Sequence, residues 1–334
     1  MELRREVVTA EILLPSAGFE PASSPIEIRW DPILGHTSHL LSGAELMPSS
    51  GFDLRELAVQ TQASCPFCSE RIDQSTPRLP EAIHSAGRIR QGEAVLFPNL
   101  LAYAQYSAVS VYSPDRHFLP LEQMTAPLVA DNLAAQVQFA AAVLRYDGRA
   151  RWASINANHM LPSGSSLFHP HLQGSVDRFP STLQQMIAQV PVTRVHDYVD
   201  TERRLDERYL GRLGCADWLV SFAPVGFNEI RAFVTGVSSP AALTVEQASD
   251  LAEGITRVLN VYADLGFQSF NMALVGGGPE SQDGYLCLQL VCRSHPQPHY
   301  RSDVTYWERL HRQAMVDYRP ERLAELARAR FQDS

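Results

Sequence analysis

The chain lacks a long uninterrupted apolar run near its beginning, and it lacks an excess of positive charge. Charged residues break up the apolar positions of residues 1–15, namely Arg4, Arg5, Glu6 and Glu11. This stretch therefore matches neither a signal peptide nor a membrane span. The 28 Lys and Arg are outnumbered by 37 Asp and Glu, which argues against a surface that neutralises many nucleic-acid phosphates. We expect a cytoplasmic protein that binds neither nucleic acid nor membrane.

Cysteine is scarce, with five residues in a chain of 334. An odd number argues against a disulfide framework, and in a reducing compartment a Cys-x-x-Cys pair suggests metal or redox chemistry instead. That pair is Cys65 and Cys68. With 45% hydrophobic residues, the chain can bury one large core or two ordinary ones.

The hydrophobic pattern predicts two similar units after an irregular beginning. Residues 1 to about 60 are rich in Pro, Gly and Ser, and we expect them to wrap around the rest without regular structure. Each later unit has two strands, a long helix and two strands. The first comprises strands Ala94–Phe97 and Ala108–Tyr112, helix Leu121–Tyr146, and strands Ala153–Ala157 and Leu167–Val176. The second comprises strands Trp218–Phe222 and Glu229–Thr235, helix 245–265, and strands Ser269–Val275 and Tyr285–Cys292.

This order favours an α+β fold in which an antiparallel sheet carries its helices on one side. The second helix has the clearest beginning, because Thr244 and Gln247 have the spacing of a capping box. The Arg- and Asp-rich stretch Gln184–Leu213 is expected to connect the two units.

Four residues are candidates for a metal site. The segment Cys65-Pro66-Phe67-Cys68 has the spacing at which one tight turn directs two thiolates at a tetrahedral ion. His117 and His169 could complete a Cys2His2 zinc site. Two reduced cysteines in a loop, or a redox pair, are the alternatives; the redox pair fits poorly because prolines soon follow Cys68 where that motif requires a helix.

The most informative segment runs from Asn156 to Gln173. On a strand, His169, His171 and Gln173 project from the same face. A metal that holds His169 would fix the backbone and leave His171 as a neutral imidazole able to attack phosphorus, while Gln173 donates to a phosphoryl oxygen. The loop before them adds donors able to approach phosphates closely, among them Asn158, Gly164, Ser165 and Ser166. The alternative is that His169 and His171 are both metal ligands.

These motifs, in this order, resemble the galactose-1-phosphate uridylyltransferase family of the histidine triad superfamily. The resemblance covers most of the chain and implies two histidine-triad-like halves, residues 1–185 and 186–334, in one pseudo-symmetric unit. It implies one structural zinc on Cys65, Cys68, His117 and His169, and it implies His171 as the nucleophile. It also places Gln173, Asn158 and Ser166 on the transferred phosphoryl group, Asn99 near the nucleotide, and Arg29 near the phosphates.

The second half departs from the family pattern in two places. Strand Tyr285–Cys292 contains no histidine, where well-known members bind a second metal, so we expect that second site to be absent. His295 and His299 lie beyond the strand and could make only a rearranged site. The family's C-terminal Gly-Tyr-Glu sugar-binding motif is replaced by Tyr306-Trp307-Glu308-Arg309-Leu310-His311. Galactose is therefore not the expected sugar.

The sequence thus predicts a nucleotidyltransferase that forms a nucleotidyl-histidine on His171. A nucleotide sugar or dinucleotide would give the nucleotide, and a phosphorylated small molecule would accept it. A phosphorylase or hydrolase on the same site, and a non-catalytic zinc- and nucleotide-binding module, are the alternatives. In this family the C-terminal part reaches the partner subunit's site, so we expect a homodimer in which Tyr306, Trp307, Glu308 and His311 meet the acceptor; an amphipathic helix that merely packs is the alternative.

Overall fold

The computed structural model describes residues 1–41, 53–278, 283–294, 303–316 and 318–332. Three strands of a small sheet come first: β1 (Arg5–Leu14), β2 (Glu20–Trp30) and β3 (Thr37–Leu41). Two short helices follow: α1 (Arg55–Gln62) and α2 (Ile72–Ser75). The first set of large-sheet strands is β4 (Ile89–Gln91), β5 (Ala94–Pro98), β6 (Tyr106–Val111), β7 (Trp152–His159) and β8 (His171–Asp177). Helix α3 (Ala126–Tyr146) lies between β6 and β7 in the chain.

Two helices lead into the second half: α4 (Thr182–Ala188) and α5 (Val192–Leu205). The second set of large-sheet strands is β9 (Tyr209–Leu213), β10 (Ala216–Val220), β11 (Ile230–Thr235), β12 (Ser269–Gly276) and β13 (Tyr285–Arg293). Helix α6 (Val245–Asp264) lies between β11 and β12 in the chain. The last elements are a π-helical turn (Trp307–His311), β14 (Ala314–Val316) and α7 (Pro320–Gln332).

The large sheet has ten strands in the order β4-β5-β6-β8-β7-β12-β13-β11-β10-β9. All neighbouring pairs are antiparallel. Each half therefore contributes five strands in the same arrangement, and the pair β7–β12 joins the halves at the centre. This confirms the predicted α+β fold with two repeats, and each repeat gains one strand, β4 or β9, that the hydrophobic pattern did not predict.

The two long helices pack on one face of the sheet and against each other. The predicted capping box of α6 is confirmed, since Gln247 N donates to Thr244 Oγ1 at 3.1 Å and Thr244 N donates to Gln247 Oε1 at 3.0 Å. Gly254 lets α6 approach the sheet closely, because a Cβ there would lie 2.0 Å from the ring of Trp218. Among the described helices, α3 is long and apolar enough to cross a membrane, but its buried side chains pack in this core as those of an interior helix do.

In the second half, helices also cover the opposite face of the large sheet, and the sequence pattern did not predict this. The stretch Gln184–Leu213, expected to be only a connector, forms most of α4, then α5 and β9. Val195 and Tyr198 of α5 pack on alternate residues of the sheet, including Leu219 and Phe233. The expectation that helices lie on one side was therefore wrong for this half, because a strand buried on both faces needs a second apolar layer.

A buried polar network lies on this covered face. Gln289 in β13 corresponds to Gln173 in β8. Gln289 lies between β11 and β12, and Gln173 lies between β6 and β7, which are the equivalent strands of the first half. Gln289 Nε2 donates to Glu229 Oε1 at 2.8 Å, and Arg231 forms ion pairs with Glu229 and Asp31. All four side chains are buried. In the second half, buried side chains therefore occupy the sheet face that remains open in the first half.

The expectation of an irregular beginning was also wrong. The small sheet has the order β1-β2-β3-β14, and β1 and β2 form a long hairpin. Pro21 and Pro25 disguised β2, because proline lowers strand propensity. In the described pairing, β3 lies opposite Ile26–Trp30, and the register between β2 and β1 continues through both prolines.

Candidate active site and metal centre

The predicted metal ligands come together. The ligand atoms of Cys65, Cys68, His117 and His169 all lie within 4.8 Å of one another, and all four residues are buried. His169 Nδ1 is 3.6 Å from Cys65 Sγ and 3.7 Å from Cys68 Sγ, and His117 Nδ1 is 3.4 Å from Cys68 Sγ. Tetrahedral coordination with zinc bond lengths separates sulfur from nitrogen by about 3.5 Å. The four side chains therefore fit a tetrahedral metal ion.

Local hydrogen bonds shape the cysteine turn. The N–H of Phe67 donates to Cys65 Sγ at 3.4 Å, which suits a sulfur that carries negative charge. Ser69 N donates to Pro114 O at 3.1 Å and ties the turn to the segment that carries His117. The Cys-x-x-Cys segment is thus held as a turn rather than as the start of a redox helix.

Each histidine of the cluster is oriented by its second ring nitrogen. His169 Nε2 lies 2.9 Å from Ser113 O, and because a carbonyl can only accept, the proton is on Nε2 and Nδ1 is free for a metal. His117 Nε2 lies 2.9 Å from Thr61 Oγ1, and that hydroxyl donates in turn to Leu57 O at 2.8 Å. Thr61 was missed from the sequence, because nothing in its position on α1 indicates a contact with His117.

The electrostatics of the cluster favour a bound cation. Burial and the neighbouring Cys65 raise the pKa of the Cys68 thiol to about 12. Burial lowers the pKa of His169 to about 4 and also lowers the pKa of His117. Without a positive ion these groups stay neutral; a metal cation would offset the cost of buried thiolates and would bind the neutral imidazoles.

His171 lies beside this cluster at the start of β8. Its Nδ1 is 2.8 Å from the carbonyl oxygen of His169, which fixes the proton on Nδ1 and leaves the lone pair on Nε2. Burial lowers the pKa of His171 and favours the neutral imidazole, although the bond to the His169 carbonyl opposes this. The ring of Phe67 packs nearly perpendicular to the ring of His171, with 5.5 Å between centroids.

One predicted detail of this segment was wrong. The strand expected at Leu167–Val176 begins only at His171, because Pro170 has no N–H for the ladder. His171 and Gln173 share a face of β8, as expected, but His169 precedes the strand and turns its ring to the metal cluster.

A cleft of 520 Å³ lies on the face of β7 and β8 that carries Gln173. Its polar wall contains Ser107, Ser154, Asn156, Asn158, Gln173 and Ser175, and its aromatic wall contains Tyr103, Trp152 and Phe179. Gln173 Nε2 donates to Tyr103 Oη at 3.2 Å. Since His171 and Gln173 are two residues apart on one strand, a group bonded to His171 would lie at the edge of this cleft.

The loop between β7 and β8 has a constrained backbone. Met160 is buried at φ 67°, and Gly164 has φ 92°, a conformation that glycine adopts without strain. Ser165 is buried and its hydroxyl donates to Leu167 O at 2.6 Å, whereas Ser166 is exposed. Of the two predicted phosphate-binding serines, Ser166 is the one whose side chain faces solvent.

Two other predicted binding residues are Arg29 and Asn99, and neither is among the residues that line the cleft. Arg29 is fully buried in β2, where its guanidinium donates to Glu27, to Glu321 and to Phe222 O. Its predicted contact with phosphates is not tested by these contacts and stays a prediction. Asn99 is half-buried at the end of β5, and its Oδ1 accepts from Leu101 N at 3.1 Å.

The C-terminal segment is exposed rather than packed as a helix. Its regular part is the π-helical turn Trp307–His311, in which Leu310 is 76% exposed. Trp307 packs against His39 at 5.4 Å between ring centroids. Of the three residues that the packing alternative names, Leu310 is exposed, whereas Trp307 packs on His39 and Met315 is half-buried in β14. His295 and His299 lie outside the described residues.

Sequence comparison identifies a close archaeal relative. An uncharacterized protein of Archaeoglobus fulgidus is 30% identical over 337 residues, which cover 97% of this chain and 97% of that protein. The chain belongs to the family of this archaeal protein. No family model matches the chain.

Solved structures identify the fold of this chain. A GalT-like protein from Arabidopsis thaliana has a TM-score of 0.67 at 17% identity, over 90% of this chain and 98% of that one. An ADP-glucose phosphorylase from Arabidopsis thaliana, solved with bound ADP-glucose, has a TM-score of 0.68 at 17% identity, over 91% and 98%. A uridylyltransferase has a TM-score of 0.61 at 18% identity, over 91% and 98%. The chain thus has the fold of this GalT-like protein and of these two enzymes, as the sequence motifs predicted.

Proposed function

We propose that the protein is a nucleotidyltransferase that works through a nucleotidyl-histidine on His171. The observation that carries the proposal is the 2.8 Å contact between His171 Nδ1 and the carbonyl oxygen of His169. A histidine whose Nδ1 proton is engaged by a carbonyl keeps a nucleophilic lone pair on Nε2. Because His169 also belongs to the metal cluster, the metal site would hold the carbonyl that orients the nucleophile.

The reaction would proceed as two displacements at phosphorus. In the first, Nε2 of His171 bonds to the α-phosphorus of a nucleotide sugar or dinucleotide, and the bond from that phosphorus to the bridging oxygen breaks. The phosphorylated group leaves with that oxygen. In the second, a phosphate oxygen of the acceptor bonds to phosphorus and the P–N bond breaks, which restores neutral His171. Gln173, Asn158 and Ser166 would donate to the non-bridging oxygens.

We propose that the metal is a single zinc with a structural role. Two thiolates and two imidazoles are a donor set that zinc prefers, and four protein ligands fill a tetrahedral shell. When bound, the ion would supply charge compensation for the buried sulfurs and would lock the ring of His169. The group transfer itself would use His171 and the donors around it.

A phosphorylase or hydrolase on the same site is the second candidate function. The structural similarity to an ADP-glucose phosphorylase favours it, since inorganic phosphate and a sugar phosphate both offer a phosphate oxygen that can take up the nucleotide. We expect galactose 1-phosphate to be a poor acceptor, because the second half lacks the family's sugar-binding motif. We also propose a homodimer, since the exposed apolar side chains Val7, Leu13 and Phe19 of the β1–β2 hairpin suit contact with a second copy.

Intact-protein mass spectrometry tests the proposal directly. The protein is mixed with UDP-, ADP-, GDP- or CDP-glucose, and the expected result is an added mass of one nucleoside monophosphate with one of them. Inorganic phosphate, galactose 1-phosphate and other sugar phosphates are then added separately, and the acceptor is the one that discharges the adduct. A protein that neither forms an adduct nor exchanges label between any donor and acceptor would refute the nucleotidyl-histidine.

A further inference from the structure

Asn271 of β12 lies directly opposite Asn158 of β7, in the strand pair that joins the two halves. Its Nδ2 is 2.7 Å from Asn158 Oδ1 and 2.9 Å from the carbonyl oxygen of Ser163. Its Oδ1 is 2.6 Å from Nη1 of Arg293 in β13. The two amide protons and the oxygen of Asn271 therefore all have partners, and these partners come from both halves.

The chemistry of these partners fixes the orientation of both asparagines. Arg293 can only donate, so it must face the oxygen of Asn271, and the carbonyl of Ser163 can only accept, so it must face the nitrogen. Both requirements give the same orientation of Asn271. It follows that Asn158 presents its oxygen to Asn271 and keeps its Nδ2 hydrogens for an acceptor in the cleft that it lines.

Arg293 is itself held in place. It is 16% exposed and forms an ion pair with Asp303, which is 8% exposed. Asp303 also accepts a hydrogen bond at 3.1 Å from the backbone N–H of Ser294, the residue that directly follows Arg293. A guanidinium with this partner loses little freedom when it also donates to Asn271.

We propose that Asn271 and Arg293 are positioning residues for nucleotidyl transfer, which keep the amide N–H of Asn158 directed at the phosphoryl group. The proposal rests on the proposed function. Asn271 also donates to the Ser163 carbonyl and so holds the turn Leu161–Ser163, which directly precedes the loop residues Gly164, Ser165 and Ser166. The second half thus contributes to the reaction of the first half by a hydrogen bond across β7–β12.

The sharpest test is Asn271→Asp, which keeps the shape of the side chain and removes its donors. A carboxylate can only accept, so Asn158 would turn its NH2 toward residue 271 and away from the cleft. We expect the rate constant for adduct formation on His171 to fall roughly 10- to 100-fold, as when a group that orients an active-site residue is lost. The effect should appear in kcat more than in KM, while zinc content and melting temperature stay near those of the wild type.

A double-mutant cycle shows whether Asn271 acts through Asn158. Asn158→Ala, Asn271→Asp and the double variant are compared in the same single-turnover assay. If Asn271 orients Asn158, the double variant is no slower than Asn158→Ala within about twofold. Ser269→Ala is the matched control. It removes the hydrogen bond from Ser269 Oγ, at the start of β12, to Ser294 O, just after β13. This bond does not involve Asn158.

The outcomes separate the two claims. No adduct in the wild type with any donor refutes the proposed function, and the positioning role with it. A wild-type adduct together with multiplicative effects in the cycle, or with an Asn271→Asp rate equal to that of Ser269→Ala, refutes the positioning role alone. Arg293→Lys, which retains the charge near Asp303, should reproduce part of the loss, and an unchanged rate in this variant would remove Arg293 from the proposal.

Discussion

The ring of His117 is held by the hydroxyl of Thr61, whose Oγ1 lies 2.9 Å from His117 Nε2. Thr61 donates its own proton to Leu57 O, so it accepts the proton of the imidazole. Helix α1 thereby sets the tautomer in which Nδ1 of His117 faces the two cysteines. Partners of this kind orient a metal ligand without touching the metal.

Thr61→Val should therefore weaken metal binding without removing a ligand. Valine keeps the volume and the branching but cannot accept the proton of His117, and we expect zinc affinity to fall roughly 10- to 100-fold. Competition with a chromogenic chelator measures it. Thr256→Val is the control, because Thr256 makes the same helical bond, to Ala252 O at 2.9 Å, and has no hydrogen bond to a described histidine. Equal affinities in the two variants would contradict the orienting role.

His169→Ala and His171→Ala should differ in metal content. His169 is a member of the four-residue cluster, so its loss should remove most of the expected one zinc per chain and lower the melting temperature by roughly 5 °C or more. His171 lies outside the cluster, so its loss should leave zinc and stability unchanged. Elemental analysis and calorimetry check both. If the two variants lose zinc equally, His171 is a ligand and the proposed nucleophile is wrong.

His171→Gly should abolish nucleotide exchange and recover part of it with added imidazole. The glycine leaves room for a free imidazole beside His169, and that molecule can carry the nucleotide in place of the side chain. Turnover with and without imidazole is the measurement. His39→Gly is the control, since His39 packs on Trp307 and is not a cluster member; rescue of both variants alike would point to an effect unrelated to His171.

Glu321→Gln should destabilise the protein at neutral pH and much less in acid. Burial opposes ionisation of Glu321, but hydrogen bonds and charge from the buried Arg29 and Arg208 outweigh it and hold its pKa at about 2. A carboxyl with a lowered pKa stabilises the fold above its unfolded pKa, near 4.5, and loses this contribution as pH falls toward 2. We expect the free energy of unfolding to drop by about 2 kcal/mol at pH 7.

Denaturant unfolding of wild type and variant between pH 7 and pH 3 checks this. The difference should shrink steadily below about pH 5. Glu325→Gln on the same helix is the control, because Glu325 and its partner Arg322 are both more than half exposed and their ion pair should contribute little to stability. A difference for Glu321→Gln that does not change with pH would show that the ion pairs are not its cause.

Elements with a strong local pattern could be predicted closely. The capping box placed the start of α6, and the strand patterns placed β5, β6, β12 and β13 within a few residues. The small sheet was missed, because β1 is exposed along nearly its whole length and therefore shows no alternation of buried and exposed residues. The boundary between the halves at residues 185 and 186 stays a prediction.

The sequence by itself determined which side chains form the local parts of the candidate site. The spacing of Cys65 and Cys68 in one turn, and of His171 and Gln173 on one strand, is local, so the turn or the strand fixes the relative placement of these side chains wherever the segment lies. Only the tertiary structure decided which distant groups complete them. Thr61 meets His117, and Asn271 meets Asn158 across a separation of 113 positions in the chain, because strand pairing and helix packing act at long range. No short-range pattern records such contacts, since each residue at its own position is an ordinary polar side chain.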